Sequence, residues 1–192
     1  MSRLKALTEA LCPEGVEYKK LGEICEFKRG QTITKKDVVK GNVPVIAGGR
    51  EPAYYHNAAN RTGETIAVAG SGAYAGFVSY WMAPVFLSDS FSVHPDGSLL
   101  SVKYVYYFLK SIQGKIYATK KGSGVPHVHG SFIAKFLIPL PPLSEQKRLA
   151  AILDRFDALC NDLTDGIPAE IAARKKQYAY YRDKLLDFKR LN

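Results

Sequence analysis

The feature that most constrains this chain is a change of hydrophobic period at the proline-rich joint IPLPPL, residues 138–143. Before the joint, short apolar runs recur between turn residues: EICEFKRG, NVPVIAGG, ETIAVAGSG, AGFVSYW and PVFLSDSFSVHP. Runs of this length, rich in Val, Ile, Phe and Tyr, predict strands joined by turns. Glycines crowded at positions 48, 49, 63, 70, 72 and 76 predict sharp bends in a curled sheet or partial barrel. After the joint, Leu149, Ile152, Leu153, Phe156, Leu159, Cys160 and Leu163 follow at three- and four-residue spacing, a helix that Ser144 can cap. Pro139, Pro141 and Pro142 hold the chain extended between the two regimes. The expected fold class is therefore α+β. A curled mixed β-sheet domain with a few short helices spans 1–142, and a long helical, coiled-coil-forming tail spans 143–192.

Two further helices are predicted within the first region. Leu4, Leu7 and Leu11 make residues 3–11 amphipathic, ended by Pro13 and Gly15. SVKYVYYFLKSIQGKI begins with Ser101 as N-cap and carries Val105, Phe108, Leu109 and Ile112 on one face, loosening at Gly114. FIAKFLIPLPPL reads as a last strand stopped by proline. In the tail, TDGIP (164–168) breaks the helix, with Pro168 placed to start another. There Ile171, Tyr178 and Leu185 repeat every seven residues, as do Ile167, Arg174, Tyr181 and Phe188, which is a coiled-coil seam. So short a chain offers no globular face large enough to bury both apolar stripes of the tail fully, which leaves packing on each other as a hairpin or, the stronger expectation, on another copy or subunit. Leu149, Ile152, Phe156, Leu159, Leu163, Ile171, Tyr178 and Leu185 are accordingly expected at a dimer or subunit interface.

The net charge of +9 is unevenly placed. Residues 1–142 hold 17 basic against 10 acidic side chains, whereas residues 143–192 hold 10 against 8. A basic globular part attracts polyanions, because neutralised phosphates release condensed counterions. Three widely spaced cysteines without a C-x-x-C pair argue against a disulfide framework and a zinc site. With no signal-like N-terminus and no apolar span, the expected location is the cytoplasm.

Few motifs suggest catalysis. GSGAYAG (70–76) has one residue too many for a dinucleotide fingerprint and leads into another strand, so it reads as a turn. No G-x-x-x-x-G-K-[ST] loop is present. His127 and His129 could face one side of a strand, yet no third ligand is near in sequence, and no metal site is expected. IPLPPL lacks the Asp or Asn that must precede an amino-methyltransferase proline pair. Asp89 and Asp96 stand alone and read as turn caps rather than as part of a nuclease carboxylate set. What remains is polar and basic loop chemistry suited to phosphates and base edges. It includes Lys28, Arg29, Gln31, Lys35 and Lys36 in the first loop, and Arg50 beside Tyr54 and Tyr55 in the second. Ser71 and Tyr74 lie in the glycine turn, and Lys120, Lys121, Ser123, His127 and His129 in the loop at 120–131.

CPEGVEYKKLGEI, KRGQTI, IPLPPLSEQKRLAAILDRFDAL and IPAEIAARKKQYAYYRDKLL, taken in this order, resemble the specificity subunit of type I restriction-modification systems. The resemblance covers essentially the whole chain and implies a non-catalytic reader of double-stranded DNA. One target recognition domain would bind half of a bipartite site, with helical regions spacing two such domains and docking methylation and restriction subunits. S-adenosylmethionine, ATP and Mg2+ would then belong to those partners, with no cofactor in this chain. A full subunit carries two recognition domains and two helical regions; with one of each, this sequence reads as a half-subunit that forms a homodimer. The competing expectation is a regulator that binds the methylation subunit without touching DNA.

Overall fold

The computed structural model describes residues 12–122, 124–162 and 168–190, with the side chains of 159–162 and 168–171 set aside. The helix expected at 3–11 lies outside them. Nine strands are described: β1 (Glu17–Lys20), β2 (Cys25–Arg29), β3 (Val43–Ile46), β4 (Tyr54–His56), β5 (Thr65–Ala69), β6 (Val78–Trp81), β7 (Phe86–Leu87), β8 (Ser90–Pro95) and β9 (Leu137–Leu140). The helices are α1 (Leu21–Ile24), α2 (Val102–Ser111), α3 (Gln113–Ala118), α4 (Gly130–Ile133), α5 (Leu143–Asp162) and α6 (Pro168–Leu185). The α+β expectation stands, but the strands form three open sheets, not one curled sheet. They are a β2-β8-β5-β6 sheet, a β4-β3-β7 sheet and a β1-β9 pair.

β5, at the centre, explains the layering. All five residues of TIAVA are buried, because both faces are covered. Ile66 and Val68 point into the main core with Phe91, Val93 and the buried face of α2. Ala67, on the opposite face, meets Ile46, Val85 and Leu87 from the smaller sheet's side. Period-two alternation thus places one apolar set in each cluster.

The predicted helix at 101–116 is two helices. Ser101 accepts from the Tyr104 amide as expected (3.4 Å), but the chain breaks at Ile112 (φ −98°, ψ 16°). A tertiary contact sits at the break: the Gln113 amide donates to the Gly76 carbonyl (2.6 Å) and accepts from the Val78 amide (3.1 Å). The run expected as a final strand begins instead with α4. Its end packs so closely on α1 that a Cβ on Gly22 would stand 2.9 Å from the Ala134 Cβ.

The tail finds the partner face that its spacing alone did not reveal. Leu149 and Leu153 of α5 are fully buried against α2, in one cluster with Leu185, Leu186 and Phe188. This corrects two expected interface residues: Leu149 and Leu185 belong to the chain's own core, because the buried face of α2 extends the globular surface. Ile152 and Tyr178 pack half-buried at its margin, and Phe156 stacks on Tyr181 with ring centres 5.8 Å apart. The side chains of Leu159, Leu163 and Ile171 lie outside the described residues.

The joint is latched by polar groups. Gln146, fully buried, donates to the Leu99 and Pro141 carbonyls (2.8 Å each) and accepts from the Ser101 amide (2.9 Å). Asp154 accepts from Tyr107 (2.6 Å) and Lys103 (2.5 Å). Burial first, and this hydrogen bond second, push the Tyr107 hydroxyl far above its ordinary range. At the end of the tail, the Val16 amide donates to the Lys189 carbonyl (2.7 Å), and Tyr18 donates to that of Phe188 (2.7 Å). The close approach needs Gly15, at φ 93°, where a Cβ would stand 2.5 Å from the Lys189 oxygen.

Candidate nucleic-acid interface

Two loops far apart in sequence are stitched together at one end of the larger sheet. The β5–β6 turn approaches the loop at 120–131 through a bridge between Ser71 and His127. Around it, the Gly72 amide donates to the Pro126 carbonyl (3.0 Å), and the Val128 amide to that of Gly70 (2.9 Å). Lys120 Nζ adds a bond to the Ala73 carbonyl (3.1 Å). The segment around Gly48 backs onto the same turn, where a Cβ on Gly48 would stand 2.4 Å from the Ser71 carbonyl oxygen.

This face carries its cations on aromatic rings. The Arg50 guanidinium lies 4.8 Å from the Tyr74 ring centre and 5.6 Å from that of Phe77. Lys110 covers Phe77 at 5.1 Å, Lys120 covers Tyr117 at 4.5 Å, and Lys121 and Lys135 lie 4.7 and 5.6 Å from the Phe132 ring centre. Contacts of this kind are worth about 0.5–1 kcal/mol at exposed sites. Their larger consequence is positional, since they hold the heads in place while leaving N–H groups free for phosphate oxygens. Burial, and then Arg182 nearby, lower the Lys110 pKa, with Asp157 opposing and Arg50 reinforcing the shift.

Beside these cations lies an open cleft of about 230 Å³. Phe27 and Phe91 line it, together with Arg29, Asp89, His127 and His129. The two imidazoles stack nearly parallel at 6.3 Å. No group of three metal-ligating side chains occurs among the described residues.

Arg29, His127 and His129 thus line the cleft, and Arg50, Tyr74, Lys120 and Lys121 lie on or against the loops stitched together beside it. Ser71 is placed there in another role. It is 6% exposed and its hydroxyl donates to Asp89, so it supports the site instead of presenting an edge to a base. Lys28 projects from the opposite face of β2 to Arg29 and pairs with Glu26 (2.9 Å). Gln31 is exposed next to the cleft strands, its backbone N–H donating to the Leu87 carbonyl (2.9 Å). Lys35 and Lys36 stand exposed on a turn closed by Asp37 and fastened elsewhere, through Ile33 to Ser88 and Tyr54. Ser123 lies outside the described residues. Sequence reasoning missed Phe27, Phe77, Lys110, Phe132 and Asp89, because a ring under a cation and a carboxylate oriented from another turn have no local signature.

Comparison with known proteins identifies the family. Residues 13–173 match the model of the type I restriction modification DNA specificity domain family. A type I restriction enzyme specificity subunit of Escherichia coli is 42% identical over 102 residues, 52% of this chain and 25% of that protein. The MpnII specificity subunit of Mycoplasma pneumoniae is 33% identical over 183 residues, 86% of this chain and 51% of the relative. The chain thus spans about a quarter to a half of the length of these relatives. The crystal structure of a type I restriction-modification system S subunit from M. genitalium superposes with a TM-score of 0.69 at 23% identity, over 78% of this chain and 41% of that one.

Proposed function

This chain belongs to the family of type I restriction-modification DNA specificity domains, and from that premise we propose that it reads one half of a bipartite double-stranded DNA site. The observation that carries the reading is a cleft lined by Arg29, His127, His129 and two phenylalanines, with the ring-held cations Arg50, Lys120 and Lys121 on the loops stitched together beside it. Ring-held cations suit the backbone, and the cleft suits base edges. Residues 1–142 would act as the recognition domain, and residues 143–192 as the helical region that docks methylation and restriction subunits. In this reading the chain performs no chemistry, and S-adenosylmethionine, ATP and Mg2+ serve the partner subunits. We place its work in the cytoplasm, where the family's DNA substrate would lie.

A second recognition unit must supply the other half-site. We place the pairing on the tail, through Phe156, Ile152 and Tyr178 together with Leu159, Leu163 and Ile171, since Leu149 and Leu185 are committed to the core. Helices of this length span roughly 30 Å at 1.5 Å per residue, about one DNA turn. Light scattering should give twice 21.2 kDa, and Phe156→Asp should halve it; a monomer at high concentration refutes the pairing.

Gel-shift titration across salt tests the DNA reading. A reader that grips several phosphates should lose affinity on the order of a thousandfold from low to physiological salt. Absence of binding, with methylation subunits present as well, would overturn it in favour of a regulator that works through protein contacts alone.

A further inference from the structure

We propose that Asp89 is a base-reading residue that selects a cytosine, and that Ser71 is the side chain that aims it. This rests on the DNA-reading function argued above and names a chemistry for one of its contacts.

The two isolated aspartates look alike in sequence, and the structure separates them. Asp96 caps its own turn: Oδ1 accepts from the Ser98 amide (2.9 Å) and from the Ser98 hydroxyl (2.7 Å). Asp89 takes no backbone amide on its carboxylate from any described residue. Its main-chain carbonyl receives the Gly70 amide (2.9 Å), which fixes the residue against the β5–β6 turn. Among the described residues its side chain accepts only the Ser71 hydroxyl, through Oδ2. Among the described residues no donor reaches Oδ1 and no cation pairs with the group, although Arg29 lines the same cleft. Ser71, by contrast, is buried and bridged to His127, so the hydroxyl that holds Oδ2 is fixed. The outcome is an exposed carboxylate with one oxygen pinned and one free, set among histidines and aromatic rings at the mouth of a cleft on the basic face.

Such a group carries a penalty for a DNA-binding surface, because it repels every phosphate that the surrounding cations attract. A base edge that donates offsets the penalty. Among the four bases, only cytosine offers an amino group in the major groove with no acceptor beside it. Adenine sets N7 next to its N6 amino group, and guanine and thymine present acceptors, each of which meets a carboxylate oxygen unfavourably. A carboxylate held as acceptor by a hydroxyl donor therefore selects the cytosine N4 amino group.

The test is selection from a random duplex DNA library by the full chain, alone and together with a type I methylation subunit. Wild-type protein should enrich a motif in which one column is a C·G pair. Asp89→Asn keeps the shape but adds a donor, so it should lose on the order of tenfold in discrimination at that column and shift it toward A·T, because an amide matches adenine N6 and N7. Asp89→Glu moves the carboxylate out by one methylene. It should weaken the same column without changing its base, and it serves if the Asn variant does not fold. Ser71→Ala should broaden that column and no other. Identical motifs from wild type and both Asp89 variants would overturn the inference while leaving DNA reading intact. A wild-type protein that enriches nothing in either condition would overturn DNA reading, and this inference with it.

Discussion

At the joint into the tail, the buried Gln146 uses both ends of its amide on three backbone groups, and both Asp154 oxygens are taken by α2. On the cleft face, His127 and His129 are exposed, Lys121 rests on a ring, and one Asp89 oxygen meets no donor among the described residues. Polar side chains are abundant in both regions and are used in opposite ways. Where they are internally satisfied, they contribute to one fixed arrangement of helices, since any loss leaves a buried group unpaired. Where they are left over, at a positively charged surface, they are available to a partner.

The sharpest way to break this comparison is Gln146→Leu, which removes a fully buried side chain's bonds to three backbone groups, one of them buried and two half-buried. A loss of about 4 kcal/mol is expected, or on the order of 10 °C in melting temperature for a chain of this size. DNA affinity below the transition should be unchanged. A variant that melts like wild type would show that the latch is not structural. Leu153→Ala should cost about 3 kcal/mol, because the side chain is fully buried between α5 and the core. A calorimetric shift below about 1 kcal/mol would mean that the tail is not part of the core. Lys121→Ala and Arg50→Ala should act the other way round. Stability should fall by no more than about 1 kcal/mol, the loss of the ring contacts, while the slope of log affinity against log salt falls by about one for each phosphate that is no longer gripped.

The smallest effect concerns pH. His94 is held below its ordinary pKa, first by burial and then by Lys28 and Arg61, and its ring bonds Ser92 (2.7 Å). Its folded pKa lies below the unfolded value of about 6.5, so the unfolded chain binds the extra proton first. Stability is therefore full above that pH and declines as pH falls toward the folded pKa. Denaturant midpoints measured at about pH 7 and about pH 5 should differ less in His94→Asn than in wild type. Equal differences would remove His94 as a contributor.

Much of the fold was legible because it depends on neighbours in sequence. β3, β5, β6 and β8 fall inside the apolar runs that predicted strands, Ser101 caps the helix it was expected to cap, and the proline joint separates strand from helix. The misreadings share one physical source. The break at Ile112 coincides with Gln113 meeting Gly76 and Val78, residues 37 and 35 positions away. Leu149 and Leu185 have the apolar spacing of an interface, but spacing does not state which surface an apolar stripe will meet. Lys28 and Arg29 are adjacent in sequence and on opposite faces of β2, so a basic cluster along the chain becomes two separate charges in space.

The sequence by itself determined the class of structure on each side of the joint, the excess of positive charge on the globular side and the family. These follow from periodicity, composition and ordered motifs, which need no knowledge of contacts. Only the tertiary structure decided that the tail's first turns belong to the core, that the 70–76 and 120–131 loops form one face, and that Asp89 differs from Asp96. Each of these depends on a contact between residues distant along the chain, such as Ser71 with Asp89, 18 positions apart. Such pairings are set by how sheets and helices stack, and local pattern carries no record of them.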